Sequence, residues 1–172
     1  MVAFAGVLLL GTLRGILVAI VTSLVALAAQ ASRPAVYEVR RKPATNVFRR
    51  RTSEHPEDEA YPGLLMLRME GRLFFGNTER ALDLIVPLVK AADPRIVVLD
   101  CSVIFDVEYS ALKMLAQADE RLRERGRELW LTSLNPQVRS GVERSSLGKR
   151  LGRSRMFFDL EHAVEAFRAR CG

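Results

Sequence analysis

The residues of this 172-residue chain that could do chemistry are few, and most of them are not spaced for it. His55 and His162 have no Ser, Cys or carboxylate at a spacing that suggests nucleophilic or acid–base work. Cys101 sits in an apolar run and reads as a small buried hydrophobe, Cys171 stands next to the C-terminus, and neither belongs to a CxxC-type metal pattern or a disulfide framework. Both are expected to be reduced thiols. Gly141 to Gly148-Lys149-Arg150 resembles a phosphate-binding loop only in outline, since six residues separate the glycines and no hydroxyl follows the lysine. No enzyme, metal or cofactor is therefore indicated. Two groups remain. Asp100 and Ser102 close the most strand-like segment, at the sheet edge where open α/β folds take ligands, so a nucleotide or a partner loop is the candidate occupant. The competing role for Asp100 is to cap the following loop through its own backbone. Asp106, Glu108, Tyr109 and Ser110 set acids, an aromatic and a hydroxyl together at a helix start, which suits docking, with Tyr109 as the anchor unless it folds back onto the domain.

The elements that must position these groups follow from periodicity. Leu64 to Glu70, Gly71 and Leu73 to Phe75 read as strand, tight turn and strand. Thr78 to Ala92 is apolar at helical spacing, with Thr78 as cap and Pro87 as a kink or early end. Arg95 to Cys101 is β-branched and apolar on both faces, as in a central strand covered by helices. A helix from Ser110 to Gly126, with Ser110 as its cap, a strand from Glu128 to Leu134 and a helix from Gln137 to Ser146 follow. A short edge strand at Met156 to Phe158 and a helix from Leu160 to Arg170 complete the pattern. Strands alternating with helices on this scale imply an α/β fold, its sheet mostly parallel after an initial hairpin.

Positions 1–31 carry one ionised side chain, Arg14, in otherwise apolar sequence. This is the composition of a transmembrane segment. A break near Gly11 to Gly15 would leave Met1 to Leu10 as the stub of a preceding helix, and Gly11 and Gly15 have the spacing of close helix packing. A signal peptide ending at Ala29-Gln30-Ala31 is opposed by the basic cluster that follows. The net charge of +6 is local: residues 33–51 hold seven basic side chains against Glu38, whereas residues 52–172 hold 18 basic against 19 acidic. Positive charge beside a span marks the cytoplasmic side and contacts anionic headgroups, which places residues 33–172 in the cytoplasm. Nucleic-acid binding lacks the interleaved aromatics it would need. Residues 32–61, broken by Pro34, Pro43 and Pro56, read as a basic juxtamembrane linker, and residues 62–172 as the domain.

Several ordered motifs then resemble one family. Pro62-Gly63-Leu64-Leu65-Met66-Leu67-Arg68, Gly71-Arg72-Leu73-Phe74-Phe75-Gly76-Asn77, Val98-Leu99-Asp100-Cys101-Ser102 and Glu108-Tyr109-Ser110-Ala111-Leu112 are similar to successive signatures of the STAS domain of sulphate permease (SulP) transporters. Leu8 to Leu17 resembles the start of the final transporter span, and Ser32-Arg33-Pro34 with Pro43 to Arg49 resembles the connector. The resemblance implies a STAS-like, anti-sigma factor antagonist-like mixed sheet with helices, preceded by a transmembrane helix or helix stub. The function it implies is that of a C-terminal regulatory and interaction part of a sulphate or anion transporter in the cell membrane, unable to transport alone. Its implied partners are the transporter membrane domain or a cytosolic regulatory protein. In the soluble relatives, the anti-sigma factor antagonists, a serine in an Asp-Ser-Ser-Gly-Leu pattern is the kinase target, and Ser110 falls at that place within Glu108-Tyr109-Ser110-Ala111-Leu112. A free phosphoswitch of that kind is the alternative function, and Ser110 the candidate phosphoacceptor.

Overall fold

The computed structural model describes residues 12–31 and 34–171. It divides into two compact units between Arg33 and Pro34. In the first, α1 (Thr12–Ala31) exposes Leu13, Leu17, Ile20, Val21, Leu24 and Val25, so it is apolar on all sides. Thr22 turns its hydroxyl back to the Val18 carbonyl at 2.7 Å, which removes a free polar group from that surface. Among the described residues no helix is long and apolar enough to cross a membrane. The expected helix stub from Met1 to Leu10 and the Gly11 half of the Gly11/Gly15 pair lie outside the described residues.

The second unit is built on a six-stranded sheet of order β2-β1-β3-β4-β5-β6. Its strands are β1 (Ala35–Arg41), β2 (Phe48–Arg50), β3 (Leu64–Leu73), β4 (Ile96–Val107), β5 (Glu128–Thr132) and β6 (Met156–Phe157). β1 runs antiparallel to β2 and β3, and the remaining neighbours are parallel. Between them lie α2 (Phe75–Ala92), α3 (Tyr109–Arg123), α4 (Pro136–Arg144) and α5 (Ser146–Leu151), and α6 (Leu160–Cys171) closes the unit. Strand alternation divides the core. Leu65, Leu67, Val97, Leu99, Leu129 and Leu131 face α2 to α5, whereas Met66, Ile96, Val98 and Trp130 face α6 through Ala163, Val164 and Phe167.

Four expectations need correction. Residues 32–61 are not simply a linker: β1 pairs with β3 from Ala35↔Glu70 to Glu38↔Leu67, and Val39 is buried in the α6 layer. Four of the described arginines here hold carboxylates, Arg40 and Arg51 on Glu38, Arg49 on Asp58 and Arg41 on Glu161. Gly71 makes no turn. At φ +103° it carries β3 through register shifts against β4, so the strand continues to Leu73 and the antiparallel partner of β3 is β1. Helix α2 starts three residues before Thr78 and runs through Pro87 to Ala92, its first turn held by the Asn77 side chain, which accepts from the Phe74 amide at 3.0 Å. Finally, α3 starts at Tyr109 with Glu108 at the cap position, which puts Ser110 inside the helix.

Candidate functional site

Register alignment places Arg68 of β3, Asp100 of β4 and Thr132 of β5 in one row across three parallel strands. On the face they share, α6 covers the apolar rows before them, and its first residue, Leu160, borders the row itself. A cleft of about 430 Å³ opens there, also lined by Ser102, Ser133, Asp159 and His162. Asp100 is buried, and its carboxylate is fully engaged. It accepts from Arg68 Nε at 2.7 Å, the Ser102 amide at 3.0 Å and the Ser102 hydroxyl at 3.1 Å. The expected loop is absent, since β4 continues to Val107; the carboxylate instead binds the Ser102 amide and hydroxyl within the strand, and Arg68 supplies the countercharge that burial demands.

Ser133 takes a left-handed backbone, φ 58°, directly after β5, with its amide donating to the Phe158 carbonyl at 3.1 Å. Asp159 caps α6: Oδ1 accepts from the His162 amide at 2.9 Å and lies 2.7 Å from His162 Nδ1. That contact holds the His162 pKa above the ordinary histidine value. For Asp159, partial burial favours the neutral carboxyl, but the bonds from His162 outweigh it and lower the pKa. His162 thus has the acidic companion that spacing alone did not disclose. The signal was present as an aspartate three residues ahead at a helix start, a capping pattern rather than a catalytic one. Of the charged groups on the cleft wall, Arg68 is engaged by Asp100, Glu161 by Arg41 and Asp159 by His162.

Asp106, Glu108, Tyr109 and Ser110 are not brought to this cleft. They sit where β4 ends, roughly 20 Å of strand beyond Asp100. Glu108 is exposed, its amide donating to the Leu73 carbonyl at 2.8 Å and its carbonyl accepting from Leu112 at 3.1 Å, which fixes the start of α3. Ser110 Oγ lies 3.4 Å from Glu108 Oε2. Asp106 is half-buried and Tyr109 is 76% exposed, so the aromatic does not fold back onto the domain. Two further apolar residues, in the last part of β4, are exposed: Phe105 at 62% and Val103. Both lie on the stretch of β4 beyond Cys101, where Ile104 is buried in the core and Val107 packs against it. The apolar alternation of Val103 and Phe105 was the available signal. Among the described residues no group of three or more His, Cys, Asp or Glu is placed to hold a metal ion.

A three-crossover parallel sheet with one face left to a single helix is a specific arrangement, and the profile of the STAS domain matches residues 55–163. The chain belongs to the STAS domain family. Sulfate transporter 1.2 of Arabidopsis thaliana is 28% identical over 174 residues, 95% of this chain and 26% of the relative. The chain thus spans about a quarter of the length of the curated relatives it matches. The inward-facing structure of the murine anion transporter Slc26a9 superposes with a TM-score of 0.84 at 17% identity, over 98% of this chain and 28% of that one. The unphosphorylated anti-sigma factor antagonist SpoIIAA reaches 0.53 at 16% identity, over 64% of this chain and 93% of its own. These structures share the STAS fold, a mixed sheet with helices, as the sequence predicts. The STAS profile begins at residue 55, so β1 and β2 stand ahead of the matched region.

Proposed function

We propose that this chain is the regulatory and docking part of a SulP-type sulphate or anion transporter. The observation that carries the reading is the extent of likeness: similarity to sulfate transporters runs through 95% of the chain and past the start of the STAS match, into the apolar residues before β1. A free phosphoswitch has no use for that segment. In this reading residues 1–31 form the end of the transporter membrane domain, with the cationic residues that follow keeping 33–172 in the cytoplasm. The docking surface is the end of β4 and the start of α3, where Phe105 and Tyr109 offer exposed aromatic anchors flanked by Asp106 and Glu108. Ser110 adds a modification point on that surface. A phosphoryl group there would gain from the helix N-terminus and be repelled by Glu108, so its effect would be to change what docks.

The test is binding of the full chain in detergent to purified Sulfate transporter 1.2 from which the matching quarter has been removed. Tyr109→Ala and Ser110→Asp are expected to weaken association by about tenfold with an unchanged melting temperature. Equal binding by both variants, or losses that only track unfolding, would remove this surface. Protease cleavage of the 34–61 region from outside intact cells would overturn the topology.

A further inference from the structure

Helices α2 and α3 pack side by side on the sheet and leave a groove of about 230 Å³ open to solvent. Its walls are two helical stripes, Leu82, Ile85, Val86 and Val89 on α2 and Ala118 and Leu122 on α3, at the spacing by which a helix presents one face. Val86 is 46% exposed, so apolar surface is displayed there rather than buried. Three cations, Lys90, Arg121 and Arg125, border the groove, no acid lines it, and none of the three side chains holds a carboxylate among the described residues. The C-terminal ends of two helices favour cations, but that preference does not explain why they ring an apolar groove unpaired.

We infer that the α2–α3 groove docks an amphipathic helix of a partner protein, one whose apolar stripe enters between the helices and whose flanking residues are acidic. Charge complementarity selects the occupant: an acidic flank would meet Lys90, Arg121 and Arg125, and a second copy of this basic groove would be repelled. Concavity selects a helix over a lipid surface, since a groove between two helices accepts the ridge of a third whereas a membrane takes up protruding side chains. This surface lies about 20 Å along α3 from Tyr109 and extends the proposed function with a second, independent contact.

The experiment selects binders to the full chain from a displayed library of helices about four turns long. The apolar stripe is fixed at i, i+3, i+4 and i+7, and the flanking positions vary among Glu, Lys and Gln. Enrichment of Glu is expected. Selected peptides should bind Val86→Glu and the double variant Arg121→Glu with Arg125→Glu at least about tenfold more weakly, while Tyr109→Ala leaves their affinity unchanged. Because Val86, Arg121 and Arg125 are surface residues, circular dichroism should match the parent, and methyl signals of Ile85 and Val86 should shift on binding. Enrichment of Lys or Gln, an absence of binders, or equal affinity for the groove variants would overturn the inference. So would a groove that takes up only vesicles of anionic phospholipid.

Discussion

Asp100 shows how one side chain can be both site-like and structural. Its position in the row where β5 ends and a cleft opens is what a ligand-binding acid would occupy, yet every bond it accepts comes from Arg68 or Ser102. Asp100→Ala would leave the partly buried Arg68 guanidinium without its countercharge and the Ser102 amide without its carboxylate acceptor, and a loss of about 3 kcal/mol is expected in urea denaturation. Ser102→Ala removes only one hydroxyl donor and should cost about 1 kcal/mol or less. The Asp159–His162 pair gives a pH signature. Because the folded His162 pKa is raised, its contribution is complete below the unfolded value near 6.5 and fades as pH rises through the higher folded value. Asp159, held low in the folded state, loses its contribution as pH falls through its own folded value. The pair is solvent-exposed, so the effect on stability is small, and the measurement is an NMR titration of His162. Asp159→Asn should bring its pKa down toward the ordinary value, and an unchanged midpoint would refute the pairing.

At the scale of elements, Gly148 has a packing reason that its place near a lysine disguised. In the short helix α5, a Cβ at this position would overlap the Val142 carbonyl oxygen and stand 2.7 Å from Glu143 Cα, both backbone atoms at the end of α4. Gly148→Ala should therefore destabilise by about 3 kcal/mol or more, read as a lowered thermal midpoint, because neither partner can rotate away. The glycine serves close approach of two helices and no phosphate. A related lesson comes from β4. Its apolar first half was legible as a central strand, whereas its continuation to Val107 depends on β3 following it through the Gly71 irregularity. Local sequence around Gly71 describes a turn equally well, and pairing with β4 decided the matter.

For the molecule as a whole, the boundary of the folded unit governs how it can be divided. A chain beginning at residue 34 should fold cooperatively, while one beginning at 62 loses β1, uncovers an edge of β3 and removes Val39 from the α6 layer. Its expected behaviour is a lower melting temperature and self-association, measured by calorimetry and sedimentation. Identical melting of the two chains would mean that β1 contributes nothing. Val98→Asp tests the same core from its centre: a carboxylate in a fully buried position of β4 should cost several kcal/mol.

Much of the fold was readable because alternation and helical spacing are written locally: the central strand at Val97 to Leu99, the amphipathic α3 and α6 and the edge strand at Met156 follow from side-chain period alone. The order of motifs around Asp100 and Ser110 also carried the STAS family. What the sequence could not decide were matters of contact between distant segments. Proline-broken, arginine-rich residues 34–61 resemble a connector until β3 offers them an edge and Glu38, Asp58 and Glu161 offer them carboxylates. The spatial split between the Asp100 cleft and the Tyr109 surface, the exposure of Phe105 and the groove between α2 and α3 belong to the same class. Burial and exposure depend on which surfaces meet across the sheet, and only the packed tertiary structure assigns those meetings.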